Sequence, residues 1–545
     1  MTRRQTVLDL AKGTAVLVQR GVFNPLRPDL AVRSLLTVRR YGPFAGVVAN
    51  GALRNGGRPA LIDERGTLTF AQVDGRSNAL ARAIGELGLG AGDVIGVMCR
   101  DHAGLLLTIV AGNKIGARLV LMNTGFAAPQ LTDVVEREKV SAIVADQEFL
   151  ALLSGVRSEI PRIIAWVDDP DAIGDGDVLE RMIGTRPQSR VATPANPGGI
   201  VLLTSGTTGT PKGAPRDRVN PLQTAQLLDR IPLPVNSTFF LAAPMFHGTG
   251  LALASVGLAM GNTVVLQRRF DAETTMRSIE KHRVAVLVLV PTMLQRIVDL
   301  GPEEIARYDH SSLRVVFVAG SSLSPDLCTR ATEVFGEVLY NLYGSTEVAV
   351  ATVANPRELA TAPGTVGRPP VGCDVALYDD QDRRITTPGV VGRIFVSSGL
   401  SFAGYTDGRQ KHIIDGRLSS GDVGYFDGDG LWFVAGRDDD MIVSGGENVY
   451  PLEVENLLAG HPDVVEAAVI GVTDGSFGKR LRAFVVATQE GDRDAEAIRR
   501  YVKANLARYK VPRDVIFVDK LPRNATGKLL RRQLEDPESI PAPVD

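Results

Sequence analysis

Residues 200–213 read Ile200-Val201-Leu202-Leu203-Thr204-Ser205-Gly206-Thr207-Thr208-Gly209-Thr210-Pro211-Lys212-Gly213. The opening apolar run, closed by a glycine-bearing turn, has the pattern of a buried strand. The loop after it is made of hydroxyls, glycines and one lysine. Such a segment can offer backbone N–H groups, side-chain O–H groups and a cation to a polyphosphate. It is not a Walker A loop, which needs a glycine before the lysine and Ser or Thr after it. Here Pro211 precedes Lys212 and Gly213 follows it, so a P-loop NTPase is disfavoured.

Outward from this stretch, short apolar runs alternate with helix-like segments: ALIDERGTLTF, a helix over 71–87, DVIGVMC, a helix from Ala103, then ARLVLMN. Further strands are predicted at SAIVAD, RIIAWVD, TVVLQ, VAVLVLVP, LRVVFVAG and EVLYNLYG. The alternation predicts layered α/β structure with parallel strands up to about residue 350. Residues 364–435, rich in Gly, Asp and short β runs, predict a smaller β subdomain. After the charged stretch 436–440, the tail reads helix 451–458, strand, strand, helix 495–506, strand DVIFV and a last helix from Lys528, a small α+β domain. The expected division is a basic amphipathic arm over 1–50, a large domain over 51–437, a hinge at 438–440 and a C-terminal mobile domain over 441–545.

At 545 residues, 44% apolar and 22% charged, the chain is long enough for several folded domains. Its three cysteines, Cys99, Cys328 and Cys373, form no CxxC pair and sit near no clustered histidines, which predicts a reducing cytoplasm and no structural zinc. The N-terminus lacks the uninterrupted apolar run of a signal peptide. The stretch 248–266 is apolar, but its glycines and polar residues predict a buried helix and strand rather than a membrane span. The net charge is −2, and no nucleic-acid partner is expected. Residues 1–58 nonetheless carry ten Lys or Arg against Asp9 and Asp29. With Leu10, Val16, Val18, Phe23, Leu35 and Leu36 interleaved, this arm is a candidate for peripheral contact with an anionic membrane, at its inner face in the cytoplasm. A solvated helical arm packed on the body is the alternative.

The loop 204–213 resembles the phosphate loop of the adenylate-forming superfamily of acyl-CoA synthetases, luciferases and peptide-synthetase adenylation domains. Four further segments resemble that superfamily's motifs in order. Tyr343-Gly344-Ser345-Thr346-Glu347 is similar to YGxTE, which implies a tyrosine stacked on adenine, a threonine on phosphate and a Mg²⁺-holding glutamate. Gly320, Ser321 and Ser322 occupy the adenine-lining turn, departing from its usual residues at the two serines. Asp422 and Arg437 resemble the ribose-holding pair, and one carboxylate can accept from both hydroxyls. Lys528, in Pro522 to Lys528, resembles the lysine that offsets charge on the α-phosphate and the attacking carboxylate.

The resemblance further implies a hinge at Asp439, a pantetheine-facing segment Ser444-Gly445-Gly446, and His247 beside the acyl carboxylate. Thr204, Ser205, Gly206, Thr207, Thr208, Gly209 and Lys212 would cradle the phosphates, with Thr204 and Glu347 as ligands of Mg²⁺. Catalysis is assigned to Lys528, His247, Thr204 and Glu347. Gly248, Gly250, Ala252, Ala254 and Gly257 either leave room for an alkyl tail or reflect close helix packing. Where the superfamily often has Ser-His, this chain has Pro215-Arg216-Asp217-Arg218. The implied activity is ATP-dependent conversion of a carboxylic acid, expected to be a medium- or long-chain fatty acid, to acyl-AMP and then acyl-CoA. Loading of a carrier protein and a catalytically silent scaffold are the alternatives.

Overall fold

The computed structural model describes residues 3–22, 25–26, 28–172, 177–184, 186–204, 211–216, 221–398, 404–444, 447–474, 478–488, 491, 493–524 and 527–535. It divides into two units, the first Met1–Leu289, Asp299–Phe317 and Gly399–Lys411, the second Val290–Val298, Val318–Ser398 and His412–Asp545. The class is α/β, with a large N-terminal part of several sheets and a small C-terminal α+β part, as the sequence predicts.

The first unit holds two mostly parallel sheets. One orders its strands Arg162–Trp166, Ala142–Asp146, Val94–Met98, Arg118–Leu121, Ile200–Thr204 and Lys212–Pro215, the last antiparallel. In the other, Val286–Leu289, Thr238–Leu241, Thr263–Leu266 and Pro59–Asp63 lie parallel, and Gly66–Thr69 returns antiparallel. Runs such as Ala142–Asp146 and Val286–Leu289 are buried at every position. Strands covered on both faces need such sequences. Phe239 and Phe240 are fully enclosed, each contributing roughly 1.5–3 kcal/mol by burial. The stretch 248–266 is a helix, Gly248–Ala259, and a strand, Thr263–Leu266. Among the described residues no helix is long and apolar enough to cross a membrane.

The N-terminal segment forms helices Arg3–Gln19 and Pro28–Asn55. The second breaks at Gly42 (φ 81°), before Pro43, and folds back on itself. Asn50 Nδ2 donates to the Ser34 carbonyl at 3.3 Å, and Arg54 donates to Ser34 Oγ at 2.8 Å and to the Leu30 carbonyl at 3.1 Å. A side chain at Gly46 would collide with the Val38 backbone. The return half buries Tyr41, Phe44, Ala45 and Val48.

The second unit carries an antiparallel ribbon, Leu339–Ser345 with Ala349–Ala354. An antiparallel sheet orders Arg384–Ile385, Asp374–Tyr378, Gly392–Ser397, Arg417–Phe426 and Ile413–Ile414, with Trp432–Arg437 on Arg417–Phe426. The tail sheet orders Glu447–Val449, Ile442–Ser444, Gly478–Ala487 and Val464–Asp474, with Asp514–Phe517 parallel to Gly478–Ala487. Apolar positions of the helices Pro451–Ala459 and Ala495–Asn505, Val454, Leu458, Ile498 and Val502, pack on it.

Several expectations need correction. The parallel theme is broken at Lys212–Pro215 and at the Leu339–Ser345 ribbon. The last helix is Arg531–Glu535, because Arg523 and Leu529 are joined by an antiparallel bridge that keeps Leu529 out of a helix. The strand Thr238–Leu241 and the helix Ala128–Arg137 were not anticipated. Each unit also holds one tryptophan. Trp166 is covered by the guanidiniums of Arg65 and Arg268, 3.7 and 4.4 Å from its ring centre. Trp432 lies 5.5 Å from the Phe426 ring.

Candidate active site

In the first unit Thr204 and Lys212 are registered partners on adjacent antiparallel strands, so they anchor the two ends of the hydroxyl-rich loop. Ser205, Gly206, Thr207, Thr208 and Gly209 lie outside the described residues, as do Asp217, Arg218 and the Thr204 side chain. Lys212 Nζ is 5.1 Å from the centre of the Tyr405 ring, within cation–π range. Next to it the Thr406 N–H donates to the Gly213 carbonyl at 2.9 Å, and a Cβ on Gly213 would crowd Thr406 and Glu138. Nothing in the sequence links positions nearly two hundred residues apart, so Tyr405 could not be found there.

His247 sits at the start of Gly248–Ala259 with its ring 4.5 Å from Phe246. Its Nε2 is buried without a hydrogen-bond partner among the described residues. Burial pushes its pKa down to about 4, so the imidazole is neutral near pH 7. Asp101 holds the turn before it, accepting from the Met245 N–H at 2.9 Å. Burial raises this carboxyl to about 7, although that hydrogen bond opposes the shift. Two of the small residues that follow have packing reasons. A Cβ on Gly250 would overlap the Ala243 and Pro244 carbonyls, one on Gly257 would touch the Phe239 ring, and Ala252 is exposed.

In the second unit Tyr343, Asp422, Arg437 and Asp439 form a chain of polar contacts. The Tyr343 hydroxyl donates to Asp422 Oδ2 at 2.6 Å, Arg437 Nη1 donates to Asp422 Oδ1 at 3.2 Å, and Arg437 Nε donates to Asp439 Oδ1 at 3.0 Å. Burial works against the Arg437 charge, but Asp422 and Asp439 outweigh it and its pKa is raised. Burial and the Asp422 carboxylate together hold the Tyr343 phenol well above its ordinary value. Gly421 (φ 84°) lies against the Arg437 guanidinium and Gly344 against the Ala349 carbonyl, with no room for a Cβ at Gly344. Ser345 Oγ accepts from the Glu347 and Val348 N–H groups and donates to Glu347 Oε2 at 2.9 Å. Thr346 is half-buried beside it. Glu347 is 8% exposed, and a carboxylate is the hard-oxygen type of ligand that Mg²⁺ takes.

Gly320 (φ 99°) ends the strand Val315–Ala319, with Ser321 half-buried and Ser322 exposed after it. Ser444 ends the strand Ile442–Ser444 and is buried, whereas Gly445 and Gly446 lie outside the described residues. Lys528 is exposed at the end of a loop whose backbone is fixed twice by Asn524, through Asn524 N to the Lys528 carbonyl and Lys528 N to Asn524 Oδ1, both 2.9 Å. Gly527 packs on Thr292, with no space for a Cβ. Thr292 is a second neighbour that the sequence could not reveal.

A family model described as AMP-binding enzyme matches residues 48–406, and one described as AMP-binding enzyme C-terminal domain matches residues 453–528. The chain belongs to the AMP-binding enzymes. It is 31% identical over 482 residues to an indoleacetate–CoA ligase of Aromatoleum aromaticum, covering 87% of this chain and 94% of that protein. It is 30% identical over 495 residues to a fatty acid–[acyl-carrier-protein] ligase of Streptomyces coeruleorubidus, covering 88% and 93%. The o-succinylbenzoate CoA synthetase of Bacillus subtilis, solved with its acyl-adenylate intermediate, matches with a TM-score of 0.79 at 26% identity, covering 90% of this chain and 98% of that one. This AMP-binding enzyme is therefore an ATP-dependent acid–thiol ligase that works through an acyl-adenylate.

One buried cluster of the AMP-binding enzyme involves a cysteine. Cys99 lies beside a single histidine, with the ligand-type atoms of Cys99, His102 and Asp146 within 4.8 Å of one another. The Gly104 N–H donates to His102 Nδ1 at 3.0 Å, so in the neutral ring Nε2 carries the proton and donates to Asp146 at 2.8 Å. An Nε2 lone pair for a metal is thereby removed. The cluster instead ties the start of the helix Ala103–Ile115 to the end of the strand Ala142–Asp146.

Proposed function

We propose that this enzyme joins an apolar carboxylic acid to coenzyme A, and that the acid has a compact, aryl-type body rather than a long alkyl tail. The observation that carries the acid site is the buried Nε2 of a neutral His247, which has no hydrogen-bond partner among the described residues. Such a nitrogen can orient a carboxylate-bearing ligand without a competing charge. The acids named for the indoleacetate and o-succinylbenzoate relatives support the aryl choice. So does the packing role of Gly250 and Gly257, which gives these two glycines a use other than leaving room for an alkyl tail.

In this reading Asp422 accepts the ribose hydroxyls while Tyr343 and Arg437 fix its orientation, and Lys212 with the loop after Thr204 holds the phosphates. Glu347 would hold Mg²⁺, which when bound neutralises phosphate charge. The acid's carboxylate attacks the α-phosphorus, the bond to pyrophosphate breaks, and Lys528 offsets the charge that builds. The thiol of coenzyme A then displaces AMP. A turn at Asp439 between the two steps requires its bond to Arg437 to part. Ser444 and the glycines after it would line the pantetheine arm.

The likeness to an acyl-carrier-protein ligase supports a second reading, with a carrier protein as acceptor. The test measures pyrophosphate release by the purified enzyme with Mg·ATP across aryl, arylalkanoic and fatty acids, each with and without coenzyme A, and identifies products by mass. Aryl thioester formed only with coenzyme A is the expected result. A preference for long-chain acids overturns the aryl proposal, and acyl-AMP that persists with coenzyme A moves the acceptor to a carrier protein.

A further inference from the structure

We propose that the outer half of the N-terminal helical hairpin, residues 28–41, is a docking face for an anionic lipid bilayer. Val32, Leu35 and Leu36 stand 56, 59 and 47% exposed. Their i, i+3, i+4 spacing puts them on one helical face. The bond from Arg54 to the Leu30 carbonyl brings Leu53, 72% exposed, to the open end of the same hairpin. Leucines so exposed are a cost in water, and grouped with charge around them they mark an interaction surface.

The charge identifies the partner. Arg33, Arg39 and Arg40 are exposed on the same half-helix, and Asp29 is the sole acidic residue between Pro28 and Arg58. A second copy packed on this face would bring arginine against arginine with too few carboxylates to answer them. Anionic headgroups supply the missing countercharge, at about fivefold in partition for each basic residue near the surface, while the leucines enter the acyl boundary. The matched enzyme family begins at residue 48, so this half-helix precedes the part whose nucleotide chemistry the family shares. Its return half is buried in the first unit, which fixes the face to the enzyme body. The contact is peripheral, since no described helix can span a membrane.

The test is flotation of the full chain with phosphatidylcholine vesicles with and without phosphatidylglycerol. Binding at least tenfold tighter with phosphatidylglycerol, and weakened by salt, is expected. Arg39→Gln with Arg40→Gln should lower it about 25-fold, and Leu35→Glu with Leu36→Glu should abolish it. Unchanged circular dichroism and pyrophosphate release with a water-soluble acid show that the variants fold. Equal binding to both vesicles, or binding that neither double variant changes, overturns the proposal. So does a dimer in solution that Leu35→Glu with Leu36→Glu splits, since the face would then belong to a second copy.

Discussion

Around Asp422 a tyrosine, an arginine and a second aspartate are tied in series by hydrogen bonds, whereas at His247, whose ring lies against Phe246, a ring nitrogen is buried with no partner among the described residues. The first arrangement fixes directions by charge and tolerates little substitution, since each group left alone pays for its own desolvation. In the proposed function the second leaves shape and one neutral nitrogen to select the acid. A region of the first kind suits a ligand that never changes, such as a nucleotide. A region of the second kind can be re-shaped for another acid at small cost.

Substitutions can break or sharpen this contrast. The largest effect is expected outside both regions, at the exposed Lys528. Lys528→Ala should cut adenylate formation about 10²- to 10³-fold and leave thioester formation from supplied acyl-AMP within a few-fold. Equal losses in both half-reactions would remove its assigned role. Next is Asp101→Asn, which keeps the acceptor for Met245 and removes a buried charge. The Asp101 carboxyl sits at about 7 in the folded chain against an ordinary 3.8. Its protonation favours the folded state below the ordinary value, and this advantage is lost as pH rises through 7. The variant should therefore gain on the order of 3 kcal/mol at pH 8 over pH 5, read as urea midpoints at the two pH values; a pH-independent difference would refute the assignment.

Asp422→Asn should raise KM for ATP and slow pyrophosphate release by about 2 kcal/mol, or some thirtyfold, from loss of charge-assisted bonds. The same penalty for every acid tested marks a nucleotide residue. His247→Leu should do the reverse, with about a tenfold change in KM that differs among acids and an ATP KM within twofold of wild type. A uniform change across acids would put His247 with the charged region and erase the contrast. His247 also carries a pH signature. With its folded pKa near 4, the stability linked to its neutral form is present above about 6.5 and lost as pH falls through 4. The leucine variant should lack that acid-side loss.

Much of the fold was legible because its signals are local. A strand such as Val286–Leu289, buried at each position, declares itself as an apolar run. What escaped depends on distant residues. Lys212–Pro215 reads as loop because its pairing is supplied by Ile200–Thr204, and the helix expected from Lys528 starts late because Asn524 holds the backbone in a loop. Asp422 and Arg437 were recognisable as a pair. The Tyr343 hydroxyl on Asp422, the Asp101 anchor and the Tyr405 ring under Lys212 were not, since each joins positions far apart in the chain. The fatty-acid expectation rests on the basic apolar arm and on the small residues after His247, one of which, Gly250, is small because the Ala243 and Pro244 carbonyls leave no room for a Cβ.

The placement of the two tryptophans makes the enzyme its own optical probe. Trp166 emits from beneath two guanidiniums in the first unit, and Trp432 from a strand of the second. Trp166→Phe would silence one emitter and leave the other, so denaturant titrations of the two proteins, followed by fluorescence, would separate the melting of one unit from that of its neighbour without any added dye.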